Sequence, residues 1–455
     1  MNRIAGRSAI TVLLAMLLII GLSFFIAEYI TRADDWVMFP GSPHIYNGIN
    51  IGTGTVFDRD GVMLLDMEGE RTYADSASVR KSTVHWLGDR YGYISAPALP
   101  HYSSQLAGYD IFNGVYSYGN NTGVAKLSIS AQLQTTALEA LDGRRGTVAV
   151  YNYETGEILC AVTSPTYDPD NVPDIENDQS GAYEGMYLNR FTQSVFIPGS
   201  IFKIVTLAAA LETIDDIQEQ TFYCDGVYTI GADKITCEAA HGTQDIQQAF
   251  GNSCNTAFAQ VALQVGPEKM EKYVRQFGLT EAVVFDGITT AQGNYEAVGA
   301  ADANIAWSGI GQYNDQINPC AFLTFLGAIA KEGKGVQPHV VSQIYVGLSQ
   351  TYNANTVSGK RIMSASTART VMEYMRSNVE LKYGDGNFPG LTVCAKTGTG
   401  EVGGDNKPNA MLAGFVTDTD YPLAFVVFVE NGGYGASVCL PIASRVLGVC
   451  KEIMQ

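Results

Sequence analysis

The chain has 455 residues, of which 46% are hydrophobic and 16% are charged. This length is enough for a large buried core and predicts two or three domains. The formal net charge is −18 and no basic run is present, which excludes a role that depends on binding the phosphates of a nucleic acid.

The first predicted element is a membrane anchor. Residues 9–27 are almost wholly apolar, and a run of about 19 such residues can cross the hydrocarbon core of a bilayer. Arg3 and Arg7 precede the run, so the positive-inside rule predicts a cytoplasmic N-terminus with the rest of the chain outside. A cleaved signal peptide is the alternative, but the run is long for one and no clear cleavage site follows it.

After the anchor, the sequence pattern predicts a small module of mostly β structure. Residues 34–127 are rich in glycine and tyrosine and form short alternating segments. Within this region Ser78 and Lys81 fit the pattern S-x-x-K, and we expect a solvated turn there. A helix follows at 131–141 and ends before an Asp-Gly stop signal.

The remaining elements predict an α+β architecture. A hairpin is expected from residues 146–151 and 158–162, followed by a surface loop at 164–189. A mainly helical block runs from 200 to about 376, and strands return before a final helix that begins near 440. A sheet built from both ends of the region would then enclose helices built from its middle. Within the block and after it, helices are predicted at 246–250, 255–264, 267–277 and 319–331, and strands at 391–397, 411–416 and 423–430.

Ser200 and Lys203 form a candidate nucleophile and base. Pro198 and Gly199 interrupt the chain, and the apolar run that follows predicts a helix from 201 to 211. Ser200 then lies at a helix start, where free N–H groups favour developing negative charge. Lys203 is about one turn away on the same face, and a desolvated amine can accept the proton of a serine hydroxyl.

Two further motifs follow in order along the chain. Each has an ordinary structural interpretation, as a helix cap for Ser253 and as a strand-to-turn segment for the lysine motif. Their order, together with fitting helix and strand contexts, favours a shared active site. The motifs are Ser253-Cys254-Asn255 and Lys396-Thr397-Gly398-Thr399.

These motifs carry a resemblance to a known family. Ser-x-x-Lys, Ser-x-Asn and Lys-Thr-Gly are the motifs of penicillin-binding proteins and serine β-lactamases. From about residue 127 to the C-terminus the chain resembles the transpeptidase domain of penicillin-binding proteins, most of all the class B, monofunctional type. Residues 54–65 and 85–116 resemble that class's N-terminal module more loosely. Further similarity lies in residues 145–169, residues 189–211 and Gly309-Ile310-Gly311-Gln312.

The resemblance implies a role for each motif residue. Ser200 is the nucleophile and Lys203 its base, while Ser253 relays a proton to the leaving amine and Asn255 holds Lys203 and the substrate amide. The backbone N–H groups of Ser200 and Thr399 form the oxyanion hole. The substrate's terminal carboxylate is bound by Lys396, Thr397 and Thr399, and Gly398 leaves the strand edge open to the substrate backbone.

The resemblance also implies a fold and a division of the chain. The fold is an antiparallel sheet with helices on both sides and a helical subdomain. We expect a cytoplasmic tail at 1–7, a transmembrane anchor at 8–30, an N-terminal pedestal module at 31–126 and a transpeptidase domain at 127–455. No cofactor is expected. The partners implied are peptidoglycan stem peptides ending in D-Ala-D-Ala, β-lactam antibiotics, the cell membrane and a glycan polymerase of the SEDS type.

The activity implied is that of a membrane-anchored D,D-transpeptidase acting through a Ser200 acyl-enzyme. One alternative is a D,D-carboxypeptidase or β-lactamase, in which water resolves the acyl-enzyme. The β-lactamase is disfavoured because Cys254 replaces the aspartate of its second motif. The other alternative is a β-lactam sensor or scaffold without turnover.

The eight cysteines divide into two groups. Five lie in apolar surroundings and are expected to pack in the core. Cys394 should share a strand face with Lys396, which places it either near the site or packed beneath it. Cys224 and Cys237 lie in a polar segment and could form a disulfide. Together with His241 and Cys254 they could instead hold zinc, but the spacing matches zinc sites only loosely and the predicted active site contains no metal. The five apolar positions are Cys160, Cys320, Cys394, Cys439 and Cys450.

Overall fold

The computed structural model describes residues 2–39, 41–42, 45–48, 50–112, 114, 122–404 and 406–454. Tyr116, in the segment that resembles the N-terminal module, lies outside these residues. The α-helices are α1 (Asn2–Val37), α2 (Ala77–Leu87), α3 (Ser103–Leu106), α4 (Ala131–Leu141), α5 (Arg190–Gln193), α6 (Lys203–Leu211), α7 (Ile246–Gly251), α8 (Asn255–Val265), α9 (Pro267–Gln276), α10 (Asp302–Ser308), α11 (Pro319–Ala330), α12 (Ala365–Asn378) and α13 (Gly435–Met454).

Eleven of the 21 strands in the described residues belong to two sheets, and the others form two-stranded antiparallel pairs. They are β1 (Tyr46–Asn47), β2 (Asn50–Ile51), β3 (Thr55–Phe57), β4 (Met63–Asp66), β5 (Thr72–Tyr73), β6 (Gly123–Leu127), β7 (Gly146–Asn152), β8 (Ile158–Ser164), β9 (Thr221–Cys224), β10 (Val227–Ile230), β11 (Asp233–Thr236), β12 (Gly242–Asp245), β13 (Val284–Phe285), β14 (Ile288–Thr289), β15 (Lys334–Val336), β16 (Val341–Val346), β17 (Ser349–Asn353), β18 (Ser358–Arg361), β19 (Val393–Gly400), β20 (Asn409–Val416) and β21 (Leu423–Val429).

The N-terminal helix α1 carries the segment that is apolar enough to cross a membrane. Residues Ile4–Val37 are long and apolar enough for one span, and the apolar window is not buried against the rest of the protein. Among the described residues it is the one helix that meets this test. The finding agrees with a protein that crosses the membrane once.

The N-terminal module is built around a six-stranded sheet in the order β17-β16-β6-β3-β4-β5. The region is less β-rich than predicted, because α2, α3 and a 3-10 turn at Leu99–Tyr102 lie between its short strands. Strands β16 and β17 come from residues far along the chain and complete the sheet. Helix α2 contains Ser78 and Lys81, so the turn predicted for this S-x-x-K match is wrong. Both residues are nevertheless exposed, as expected for a match without a catalytic role.

The central sheet of the larger part has the order β19-β20-β21-β7-β8, with every neighbouring pair antiparallel. The predicted hairpin of β7 and β8 is confirmed, and β7 pairs with β21, so both ends of this region form one sheet. All residues of β7, β8, β20 and β21 are buried because α4 and α13 pack on one face and α11 packs on the other. The α+β prediction is confirmed.

The segment between β8 and β19 is less helical than predicted. The helices α7, α8, α9 and α11 lie where they were expected, but the strand pairs β9–β12, β10–β11, β13–β14 and β15–β18 were not predicted. These strands have only two to four residues and many exposed side chains, so they lack a clear alternation of apolar and polar residues.

The last helix begins at Gly435 rather than near residue 440. Glycine has low helix propensity, which places a predicted start at the apolar residues further on. A β-carbon at position 435 would lie 2.3 Å from the carbonyl oxygen of Gly398. The glycine is therefore required by the close approach of this helix to β19.

Candidate active site

Ser200 lies on a 3-10 turn, Gly199–Phe202, that leads directly into α6. The regular helix thus begins at Lys203, two residues later than predicted. The one-turn spacing brings the Lys203 amine to 2.7 Å from the Ser200 hydroxyl oxygen. Lys203 is fully buried, so this amine has little access to water.

The side chain of Asn255 holds the other side of the Lys203 amine. The amine donates to the Asn255 side-chain oxygen at 2.8 Å and lies 3.4 Å from the Ser253 hydroxyl. The Asn255 amide nitrogen donates to the carbonyl of Thr236 at 2.8 Å, which orients the amide with its oxygen toward Lys203. Asn255 is the first residue of α8, and Ser253 lies two residues before it, just outside the helix.

Ser253 lies between two amines. Besides its contact with Lys203, its hydroxyl oxygen accepts a hydrogen bond from the Lys396 amine at 3.0 Å. The same amine donates to the carbonyl of Thr397 at 3.0 Å. Ser253 is therefore connected to both lysines, as a group that passes protons between them would have to be.

Burial changes the acid–base properties of both lysines. Desolvation lowers the pKa of Lys203 to about 8. Desolvation also lowers the pKa of Lys396 well below its ordinary value, and the nearby charge of Lys203 adds to the effect. Two cations in one buried site oppose each other, so the site favours a state in which one of the amines is neutral and able to accept a proton.

The lysine motif lies on β19, the edge strand of the central sheet. The N–H of Thr397 donates to the Tyr383 hydroxyl, and its carbonyl accepts from Lys396, so both groups point away from β20. Because backbone groups two residues apart point the same way in a strand, the N–H and C=O of Thr399 share that direction. The free edge of β19 thus faces the nucleophile turn.

Gly398 allows β19 to lie against the nucleophile turn. A β-carbon at this position would lie 2.8 Å from the Ile201 side chain and 3.2 Å from the carbonyl oxygen of Pro198. The approach of a substrate backbone was the reason expected for glycine at position 398. The contact seen is with the protein's own chain, which is an independent reason for glycine.

The motifs meet in one cleft of about 410 Å³. Six of the eight predicted site residues line it, and the two buried lysines lie behind its wall. The cleft also contains residues that were not predicted as site residues. Two of them, Ile310 and Gln312, belong to the segment at 309–312 that resembles the transpeptidase family. The six are Ser200, Ser253, Asn255, Thr397, Gly398 and Thr399, and the additional residues include Thr236, Glu238, Trp307, Ile310, Gln312, Glu401 and Tyr434.

Tyr383 is a site neighbour that sequence reasoning missed. Its hydroxyl lies 3.0 Å from the Thr397 hydroxyl and accepts the N–H of Thr397 at 3.0 Å. The residue lies just beyond the end of α12 in a short π-helical turn, where no sequence pattern marks a functional tyrosine. It fixes the side chain and backbone of the second residue of the lysine motif.

A group of possible metal ligands lies against the same cleft. Cys224, Cys237, His241 and Cys254 each offer one ligand atom, and these atoms all lie within 4.8 Å of one another. All eight cysteines are free thiols, so the disulfide considered for Cys224 and Cys237 is not formed. The five cysteines assigned to the core are buried, as predicted, and burial raises their pKa values.

Comparison with known proteins identifies the family. The profile of the penicillin binding protein transpeptidase domain matches residues 146–448. Peptidoglycan D,D-transpeptidase PbpA of Mycolicibacterium smegmatis is 29% identical over 349 residues, which cover 71% of this chain and 70% of that protein. Stage V sporulation protein D of Bacillus subtilis is 26% identical over 403 residues, which cover 83% of this chain and 59% of that protein.

Solved structures share the fold. The D,D-transpeptidase domain of a peptidoglycan glycosyltransferase from Eggerthella lenta superposes with a TM-score of 0.76 at 24% identity, covering 88% of this chain and 98% of that one. Penicillin-binding protein A from M. tuberculosis, solved as a ceftriaxone acyl-enzyme complex, has a TM-score of 0.74 at 22% identity. The match covers 87% of this chain and 97% of that one. The expected transpeptidase fold is confirmed.

The profile match covers more than half of the chain, and the relatives named above include D,D-transpeptidases. The chain therefore belongs to the penicillin-binding protein transpeptidase family, as a serine-type D,D-transpeptidase of class B.

Proposed function

We propose that Ser200 is the nucleophile with which this protein cross-links peptidoglycan stem peptides. Its oxygen attacks the carbonyl of the penultimate D-alanine, and the C–N bond to the terminal D-alanine breaks. An amine of a neighbouring stem peptide then attacks the acyl-enzyme, the C–O bond to Ser200 breaks, and the cross-link forms.

The observation that carries the proposal is the contact between a buried amine and the serine hydroxyl. Lys203 lies 2.7 Å from the Ser200 oxygen, and burial lowers its pKa to about 8. Roughly a tenth of the amine is then neutral at pH 7 and can take the serine proton. The hydrogen bond to Asn255 keeps the amine directed at Ser200 while the proton moves.

Ser253 acts as the proton relay to the leaving amine. When the C–N bond breaks, the departing nitrogen needs a proton, and the Ser253 hydroxyl supplies it. The proton is replaced from Lys203 or Lys396, whose amines lie 3.4 Å and 3.0 Å from the Ser253 oxygen. In the second half of the reaction the acceptor amine loses a proton along the same route, and Ser200 regains its own.

Two groups of donors hold the substrate. The backbone N–H groups of Ser200 and Thr399 stabilise the oxyanion, since the edge of β19 faces the nucleophile turn. Lys396, Thr397 and Thr399 bind the terminal carboxylate of the substrate. A carboxylate beside Lys396 favours the charged amine and offsets the effect of burial. Gly398 leaves room for the substrate backbone along the same edge.

β-Lactams enter the same site. Ser200 opens the lactam ring by the same attack, but the leaving nitrogen stays tethered to the acyl group. The acyl-enzyme then persists, because the acceptor amine cannot approach as it does in the normal reaction.

The helix α1 is proposed to orient the protein in the membrane. Residues 1–7 form a cytoplasmic tail, 8–30 the anchor, 31–126 the pedestal module and 127–455 the transpeptidase domain outside the cytoplasm. Arg7 and Arg3 before the apolar run support this orientation. A glycan polymerase of the SEDS type is the proposed membrane partner of the anchor and pedestal.

The test of the nucleophile is covalent labelling of the full-length protein in membranes. A fluorescent penicillin should label the wild-type protein and the Ser78→Ala variant, which alters the exposed S-x-x-K match in α2. Ser200→Ala should give no labelled band, and peptide mapping of the wild-type adduct should place the added mass on Ser200. Labelling of Ser200→Ala at the wild-type rate would refute the assignment.

Product analysis separates cross-linking from hydrolysis. The purified protein is given a stem-peptide donor with and without an amine acceptor. A cross-linked product that depends on Ser200 and on the acceptor is the expected result. Release of D-alanine without a cross-linked product would indicate a carboxypeptidase. Fast recovery of the enzyme from β-lactam would indicate a β-lactamase. Labelling by β-lactam without any turnover of the stem peptide would indicate a sensor.

A further inference from the structure

The side chains of Cys224, Cys237, His241 and Cys254 form a compact group that the acyl-transfer reaction does not use. We call it the thiol–imidazole cluster. Cys224 ends strand β9, Cys237 follows β11, His241 precedes β12, and Cys254 lies directly before α8. Four separate points of the chain thus converge on one position, with the ligand atoms all within 4.8 Å of one another.

Three distances within the cluster match those of a tetrahedral zinc site, and all four ligand atoms lie within 4.8 Å of one another. Zinc–sulfur bonds of about 2.3 Å and zinc–nitrogen bonds of about 2.0–2.1 Å at tetrahedral angles require sulfur–sulfur distances of ~3.8 Å and sulfur–nitrogen distances of ~3.5 Å. The sulfurs of Cys237 and Cys254 are 3.8 Å apart. The His241 Nδ1 lies 3.5 Å from the Cys224 sulfur and 3.6 Å from the Cys237 sulfur.

Two members of the cluster are more accessible than the core cysteines, although Cys224 and Cys254 are buried. Cys237 and His241 are half-buried and border the cleft, whereas Cys160, Cys320 and Cys450 are fully buried among apolar side chains. A disulfide is a poor alternative because it needs a sulfur–sulfur distance near 2.05 Å and would leave one thiol and the imidazole unused. Three thiols and one imidazole are a common ligand set for structural zinc.

We propose that the thiol–imidazole cluster binds one structural zinc ion. The four protein ligands close the coordination sphere, so the ion takes no part in the acyl transfer. This replaces the expectation of a metal-free site that the sequence spacing had favoured. With three thiolates and a neutral imidazole the centre carries a net charge of about −1, which suits a position near two buried lysines.

The zinc ion positions the second motif. Cys254 lies between Ser253 and Asn255, and the backbone N–H of Asn255 donates to the Cys237 sulfur at 3.2 Å. Ser253 has a left-handed backbone with φ of 51°, a conformation that residues other than glycine rarely adopt. Ligation of the next residue holds this turn in place and ties it to the β9–β12 and β10–β11 hairpins. This positioning role rests on the proposed function, whereas the metal site itself does not.

Metal analysis of the full-length protein tests the site directly. The protein is purified in detergent under reducing conditions, treated with zinc chloride, desalted and analysed for bound metal. We expect about one zinc per chain, bound by thiolates that must be deprotonated to ligate it. Cobalt in place of zinc should give the visible absorption of a tetrahedral site rich in thiolates.

The matched variants separate ligands from other cysteines. Cys224→Ser, Cys237→Ser and Cys254→Ser should each lose most of the zinc, whereas Cys160→Ser should retain it. A folded wild-type protein that takes up no zinc, or a disulfide mapped between two cluster cysteines in the reduced preparation, would overturn the proposal. The wild-type measurement decides the question even where a ligand variant does not fold.

Chelation links the metal to the active site without mutation. Removing zinc from the wild-type protein should lower its melting temperature and slow labelling by penicillin, and zinc chloride should restore both. Ser200→Ala should still bind one zinc per chain while failing to be labelled. Zinc binding without labelling of Ser200 in the wild-type protein would contradict the proposed function alone. Labelling at the same rate before and after treatment with zinc chloride, by a protein that takes up no zinc, would contradict the metal site alone.

Discussion

Gly199 lies directly against the carbonyl oxygen of Thr399. A β-carbon at position 199 would be 2.3 Å from that oxygen, and Gly199 has a left-handed φ of 50°. This contact sets the distance between the nucleophile turn and the edge of β19. The Ser200 hydroxyl and the substrate-binding strand are therefore held in register by backbone packing as well as by side chains.

Replacing Gly199 by alanine should disrupt that register. The steric clash must move the turn or the strand, and a misplacement of about 1 Å can slow a reaction about 100-fold. Gly231→Ala is the matched control, because Gly231 also has a left-handed φ but has nothing within 4 Å of its β position. We expect a large loss of penicillin acylation for Gly199→Ala only, measured as the second-order labelling rate. Equal rates for the two variants would contradict the role of this contact.

The pH dependence of acylation should follow Lys203. Its pKa is lowered to about 8, and the neutral amine is the form that accepts the serine proton. The acylation rate should therefore rise with pH, reach half its maximum near pH 8 and level off above. Labelling rates measured from about pH 6 to about pH 10 test this. A rate that falls over this range would exclude a neutral Lys203 as the base.

Lys203→Met should separate catalysis from stability. Losing the base should lower the acylation rate by about 10²–10⁴-fold. Methionine avoids burying an amine and fills a similar volume, so the melting temperature should be unchanged or higher. Lys382→Met, which alters a more exposed lysine with a contact to Asn252, is the control for the loss of a lysine beside the site. If Lys203→Met lowered both the acylation rate and the melting temperature, unfolding would account for the lost rate and the role of Lys203 as base would not be supported.

Tyr383→Phe tests whether its hydroxyl positions Thr397. The change removes the hydrogen bonds to both the hydroxyl and the N–H of Thr397 and should cost about 1 kcal/mol for each lost bond. We expect weaker binding of penicillin before acylation, with a smaller change in the maximal acylation rate. Tyr345→Phe, whose hydroxyl contacts Gln343 in β16, should behave as the wild-type protein. Identical binding by both variants would argue against a positioning role.

The ion pair between Arg190 and Glu430 should matter for stability. Its atoms are 2.7 Å apart, and the Arg190 side chain is 4% exposed. Arg190→Ala leaves Glu430, whose side chain is 27% exposed, without its partner and should reduce the free energy of unfolding by about 1–3 kcal/mol. Arg369→Ala breaks an ion pair whose side chains are more than half exposed and should cost about 0–1 kcal/mol. Chemical denaturation measures the free energy of unfolding of both variants. Equal losses in Arg190→Ala and Arg369→Ala would show that Arg190 is solvated in solution.

Local sequence patterns were enough for the longer elements. The apolar run at the N-terminus, helices α4, α8 and α11, and strands β20 and β21 were predicted because each has a clear apolar pattern and end signals. The short hairpins between α6 and α12 were not, because strands of two to four residues have no detectable period. Their stability comes from packing against the helices rather than from their own sequence.

The sequence by itself determined which residues could carry the chemistry, since the serine–lysine spacing and the order of the motifs follow from the chain alone. Only the tertiary structure decided that Ser253 contacts both Lys203 and Lys396, because burial and long-range packing set those distances and the pKa values of the lysines. The same holds for the thiol–imidazole cluster. Its spacing along the chain is irregular, and four ligand atoms meet only because two hairpins fold onto the start of α8.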